Sequence, residues 1–165
     1  MKSKFSVAVM MIVLTIGACK KGVQLDPKKE AANLIVETAV APFVAKSTPI
    51  NAVVPGYWVA LPTLYDSTSN YYPLLISLHG GGQIGNGTTD LPKILLEGFP
   101  KLVSQGKFPP SFTVKGQNFS FVIVAPQFNS YSYTQGINAV IEFAKKNYRI
   151  DASRVYMTGL SMVAS

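Results

Sequence analysis

The stretch "LLISLHGGG" at residues 74–82 constrains the fold most. Leu74 to Leu78 are nearly all apolar, and the run ends on glycine. A short continuous apolar run of this kind fits a strand buried on both faces, as in the interior of a parallel sheet. Two similar runs follow, "FSFVIVAPQ" at 119–127 and "VYMTG" at 155–159. Between them Ile137, Val140, Ile141 and Ala144 recur at i, i+3, i+4 and i+7, one apolar stripe of a helix spanning 133–148. Lys145 and Lys146 sit near its C-terminal end, where they suit the helix dipole. Asp90 is expected to cap a short helix over "LPKILLEG", with Pro92 in its first turn and Phe99-Pro100 interrupting any longer one. Strand, loop, helix, strand, helix, strand predicts βαβ units, a mostly parallel sheet and helices on its faces, an α/β class.

The flanking segments are less patterned. "GYWVALP" at 56–62 reads as a strand stopped by Pro62, and 34–54 as one or two antiparallel strands. "LYDSTSNYYP", "KFPPSF", "VKGQN" and "RIDASR" read as turns and loops. No internal repeat or low-complexity tract is present.

The start of the chain reads as an address. Lys2 and Lys4 precede fourteen uncharged residues, 5–18, which are short for a membrane span of roughly 20 but suit a signal-peptide core. "IGAC" at 16–19 resembles a bacterial lipobox, so residues 1–18 are expected to be cleaved and Cys19 lipidated. Residues 19–33 then form a polar tether and 34–165 the folded part. Lys20 and Lys21 follow the cysteine, which favours outer-membrane or cell-surface display over the inner membrane. Cys19 is the only cysteine, so no internal disulfide can form. The net charge of +7 is concentrated in this region; residues 31–165 hold nine basic and six acidic residues. No basic stripe with interleaved aromatics appears, which argues against nucleic acid as a partner. With one cysteine, one histidine and scattered carboxylates, neither a metal site nor an organic cofactor is expected.

Two motifs carry chemistry. His79-Gly80-Gly81-Gly82 follows the first buried strand. Glycines there let backbone approach a ligand, and the freed N–H groups can face a developing oxyanion. The phosphate-binding patterns G-x-x-x-x-G-K-[ST] and G-x-G-x-x-G are absent. Gly159-Leu160-Ser161-Met162 follows the third strand. It reads as a nucleophile elbow, with Ser161 at the strained apex and the Met162 N–H as an oxyanion donor. The elbow's closing glycine is replaced by Val163.

"YPLLISLHGGG" (72–82), "FVIVAPQ" (121–127) and "YRIDASRVYMTGLSM" (148–162), in this order, resemble the α/β-hydrolase fold. Within that fold the chain resembles the esterase group related to poly(hydroxyalkanoate) depolymerases, feruloyl and acetyl-xylan esterases and lipoprotein peptidases. The resemblance covers about residues 56–162. It implies that Ser161 is the nucleophile and that the N–H groups of Met162 and Gly81 form the oxyanion hole. His79, Gly80 and Gly82 would shape the loop. The fold places its triad in the order Ser, Asp/Glu, His, so His79 lies on the wrong side of Ser161 to be the base. Asp90 and Asp151 also precede the serine and read as cap or turn residues.

The resemblance thus implies a membrane-anchored serine hydrolase of carboxylic esters, including acyl or feruloyl esters of polysaccharide, working through an acyl-enzyme. Its catalytic aspartate and histidine would lie beyond Ser161, and the chain is expected to be an N-terminal part of such an enzyme, inactive as it stands. Its sheet would be cut after the elbow strand, leaving 155–159 as an exposed edge. Val163-Ala164 is what a one-base deletion in two glycine codons would read, so the ending Val163-Ala164-Ser165 is expected to be a frameshift. Alternatives are a serine peptidase of the same fold, an inactive gene fragment, and a non-catalytic glycan-binding lipoprotein stacking sugars on Tyr57, Trp58, Tyr71, Tyr72, Tyr131 and Tyr133.

Overall fold

The structure is a computed structural model that describes residues 36–39, 41–131 and 133–161. The expected signal peptide (1–18), the whole of the tether (19–33) with Cys19, and Met162 to Ser165 lie outside the described residues.

Seven strands and two α-helices are described: β1 Val44–Lys46, β2 Gly56–Ala60, β3 Tyr72–Leu78, α1 Gly98–Ser104, β4 Phe112–Val114, β5 Gln117–Phe119, β6 Val122–Gln127, α2 Tyr133–Asn147 and β7 Ile150–Gly159. Short 3₁₀ turns occupy Gly81–Gln83 and Leu91–Leu96. The main sheet runs β1-β2-β6-β3-β7. β3 pairs in parallel with both β6 and β7, whereas β2 runs antiparallel to β6 and to β1. The protein is therefore mixed α/β around a mixed central sheet, parallel where the three apolar runs lie.

Alternation along these strands separates two faces. Leu74, Ile76, Val122, Val124, Tyr57 and Val59 pack with Val140 and Ala144 of α2, together with Phe128. Ala60 and Ile123 pack with Val103 of α1 on the opposite face. Both faces of β3 and β6 are covered, which is why their sequences are continuous apolar runs and not alternating ones. The expected stripe on α2 holds: Val140 and Ala144 are fully buried, and Ile137 and Ile141 pack against the same cluster.

Four local expectations are corrected. "LPKILLEG" forms a 3₁₀ turn and not an α-helix, and Asp90 makes no side-chain cap bond. Its carboxylate pairs with Lys93 at 2.9 Å instead. The α-helix starts only at Gly98, so Pro100 falls in a first turn, where its missing N–H costs nothing. "VKGQN" is not loop: β4 and β5 form a hairpin turned by Lys115 and Gly116, whose φ angles of 50° and 77° match the two positive values of a type I′ turn. "RIDASR" is not a separate turn either. It is absorbed into β7 as an irregularity between the Tyr72–Ile150 and Leu74–Val155 pairs. Burial raises the Asp151 pKa, but donors from Ser153 and Arg154 outweigh it and hold the carboxyl at about 2.

The glycan-stacking surface is also corrected. Tyr57 and Tyr72 are buried, and Trp58 is half-buried with its indole N–H donating to the Leu91 carbonyl. Tyr71 and Tyr131 remain exposed. The side chain of Tyr133 lies outside the described residues.

Candidate active site

The C-terminal ends of β3 and β7 lie side by side because Ser77 pairs with Thr158 and Leu78 with Gly159. The Leu160 N–H extends this ladder by donating to the Leu78 carbonyl at 3.2 Å. Two loops therefore leave the same edge of the sheet, the glycine run from β3 and the serine turn from β7. In parallel sheets this edge, at the carboxyl ends of strands, is where ligands bind.

Ser161 is exposed and has φ of +63°. Only one other non-glycine described residue, Lys115, takes a positive φ. This left-handed residue stands beside the glycine loop. A Cβ built on Gly80 would lie 3.8 Å from the Ser161 Cβ and 3.5 Å from the Leu160 carbonyl oxygen. Gly80 and Ser161 thus meet closely although 81 positions apart in sequence.

The glycine loop is held from behind. The Gly80 N–H donates to Gln83 Oε1 at 3.0 Å, and the Gly80 carbonyl accepts from the Gln83 N–H at 3.0 Å. Gly81 accepts from the Ile84 N–H. Among the described residues the Gly81 and Gly82 N–H groups have no acceptor, and space beside Gly82 is open to 4 Å.

His79 is buried against Phe128. Its Nε2 accepts from the Phe128 N–H at 2.9 Å, which puts the proton on Nδ1, the atom 2.7 Å from the Gly80 carbonyl. Both ring nitrogens are engaged by backbone. Burial pushes the imidazole below the ordinary histidine value of 6.5, and the Gly80 carbonyl opposes this only in part. The neutral ring fastens the glycine loop to the segment after β6. Its folded pKa is depressed, so its contribution to stability is full above about pH 6.5 and falls as pH drops toward the folded value. Urea midpoints are expected to decline from pH 7 to pH 5, with a shallower decline in His79→Gln. Equal slopes in both proteins would remove His79 from this account.

Asp90 and Asp151 are not in the site. Asp90 pairs with Lys93, and Asp151 with Arg154 at 2.7 Å near the start of β7, the end remote from Ser161. A cavity of about 220 Å³ lies beside the two loops, lined in part by His79, Gln83, Phe99, Glu97 and Leu160. Met162, the expected second donor, and Cys19 lie outside the described residues. Among the described residues no group of three or more His, Cys, Asp or Glu side chains could hold a metal ion. No described helix is long and apolar enough to cross a membrane.

Sequence reasoning missed two glutamines. Gln127, fully buried at the end of β6, accepts from the Gly87 N–H at 2.8 Å and donates to the carbonyls of Gln83 and Asp90. Gln83 donates to the Lys93 carbonyl at 2.8 Å. A polar amide at the end of an apolar run, as in "FVIVAPQ", was the available sign.

No protein-family model matches the chain, and no curated protein matches it. A solved structure described as a thermostable esterase is similar over 75% of this chain and 35% of that one, at 19% identity and a TM-score of 0.41. The chain thus spans about a third of that esterase's length.

Proposed function

We propose that the chain carries the nucleophile and oxyanion loop of a serine hydrolase acting on carboxylic esters, built on an α/β-hydrolase sheet. One observation carries the reading: Ser161, left-handed at the end of β7, lies against Gly80, which is followed by two glycines whose N–H groups have no acceptor among the described residues. A strained serine at a strand end beside free backbone donors suits attack on a carbonyl and capture of the resulting oxyanion.

In this reading Ser161 Oγ attacks the ester carbonyl carbon as its proton passes to a general base. The carbonyl oxygen takes the negative charge and is held by the Gly81 and Met162 N–H groups. Collapse expels the alcohol, which takes up the proton, and leaves an acyl-Ser161 ester; water then reverses the sequence and releases the acid. His79 is the one histidine of the sequence, and both its nitrogens are engaged by backbone, so in this reading His79 is not the general base. The remaining parts of the proposal are cleavage before Cys19, lipid attachment there, a tether over 19–33, display at the cell envelope, and acyl or feruloyl esters of polysaccharide as substrates.

The test is a fluorophosphonate probe on the intact gene product, with the labelled site located by mass spectrometry and p-nitrophenyl acetate turnover measured alongside. Labelling at Ser161 with turnover is the expected result. A folded product that neither labels nor turns over ester would refute the reading.

A further inference from the structure

We infer that Gln83 is the positioning residue that aims the glycine loop at Ser161, an inference resting on the hydrolase reading above. Its side chain is buried, only 6% of the residue being exposed. Oε1 takes the Gly80 N–H, while Nε2 donates to the carbonyls of Lys93 and Ile94 at 2.8 and 3.4 Å. One amide therefore ties the first glycine to the 3₁₀ turn Leu91–Leu96, whose Ile94 side chain is fully buried. The Gln83 carbonyl is in turn fixed by Gln127 Nε2 at 3.0 Å.

This arrangement divides the three glycine amides by task. Gly80 has its N–H committed to Gln83 and its carbonyl to the His79 ring, so it cannot serve a substrate. Gly81 and Gly82 follow in the 3₁₀ turn, and among the described residues their N–H groups have no acceptor. A backbone donor helps only if it already points where the oxyanion will form, since reorienting it during reaction consumes the gain. Gln83 supplies that fixed aim without touching the substrate. A carboxylate in its place would still accept from Gly80 but could not donate to Lys93 and Ile94.

The experiment compares the intact gene product with Gln83→Met and Gln83→Glu, using matched oxo and thiono esters. Sulfur fits an oxyanion hole poorly, so the oxo/thiono rate ratio reports the aim of the donors and not the amount of folded protein. Gln83→Met is expected to lower kcat about 10- to 100-fold with KM within about twofold, and to lower the oxo/thiono ratio. Gln83→Glu is expected to fall between the two. Amide exchange of Gly80 provides a reading independent of turnover, slow in the native protein and in Gln83→Glu, which keeps the acceptor, and faster in Gln83→Met. Unchanged kcat and ratio in folded Gln83→Met, or Gly80 exchange equal to native in that variant, would overturn the role of Gln83. Absence of ester turnover in the native protein would instead overturn the hydrolase reading, and the exchange comparison would still decide whether Gln83 holds the loop.

Discussion

Ser161→Ala is expected to lower ester kcat/KM of the intact gene product by about 10⁴- to 10⁶-fold, while Ser161→Gly should lose as much activity yet melt at a higher temperature. The two outcomes have different causes. In the proposed reaction the Ser161 hydroxyl bonds the acyl carbon, so either substitution removes that route. The backbone is a separate matter. At φ of +63° a side chain crowds its own carbonyl, at a cost of roughly 1–2 kcal/mol that glycine does not incur. For a domain of this size that converts to a rise of about 2–4 °C per kcal/mol. Alanine keeps the Cβ and the strain, so Ser161→Ala should melt near the native temperature. The contrast between alanine and glycine separates loss of the nucleophile from relief of the turn. Retention of more than a tenth of the activity in Ser161→Ala would mean another group attacks the ester. A lower melting temperature for Ser161→Gly would mean the turn is not strained.

Much of this arrangement was legible because it depends on local pattern. Leu74 to Leu78 and Val122 to Ala125 are buried on both faces, and that condition writes itself as an unbroken apolar run. Val140 and Ala144 face one sheet, so their helix shows a stripe. The glycine run and Ser161 could each be placed after a strand. Their meeting depended on β3 lying between β6 and β7, a strand order that the succession of elements along the chain does not fix. The hairpin over Phe112–Phe119 was hidden because its strands are three residues each and its turn is Lys-Gly, not the usual Asn-Gly or Asp-Gly. Ile150 to Arg154 read as a turn because Asp151 and Ser153 bond one another locally, as they would in a loop. The amide clamp of Gln83 and Gln127 was hidden for a different reason. The place of Gln127 at the end of an apolar run was a sign of burial, but which carbonyls the two amides meet is set by other segments, and no spacing in the chain encodes that.

Gly56→Ala tests how firmly the loop behind the site is seated, and a loss of about 3 kcal/mol or more is expected. Gly56 opens β2, which is paired on both sides, with β1 and β6. A Cβ there would lie 2.3 Å from the Gly87 carbonyl oxygen and 2.8 Å from its Cα. These are backbone atoms, so no rotamer change relieves the contact. Gly87 faces back with φ of +73°, and its own Cβ would lie 2.3 Å from the Pro55 carbonyl carbon. Since β2 is held in the sheet, the loop must lift. Lifting strips the Gly87 N–H from Gln127, and the Gln127 amide also holds the carbonyls of Asp90 and Gln83. Stability and the aim of the glycine loop should therefore fall together, with the melting temperature down by about 6–12 °C and ester kcat reduced. Gly106→Ala supplies the control. Gly106 also has positive φ, 67°, but nothing lies within 4 Å of its Cβ position. Its substitution should cost only the conformational strain of about 1 kcal/mol, with kcat unchanged. If Gly56→Ala proves no more damaging than Gly106→Ala, the loop is free to yield, and the chain of contacts from β2 through Gln127 to Gln83 does not support the site.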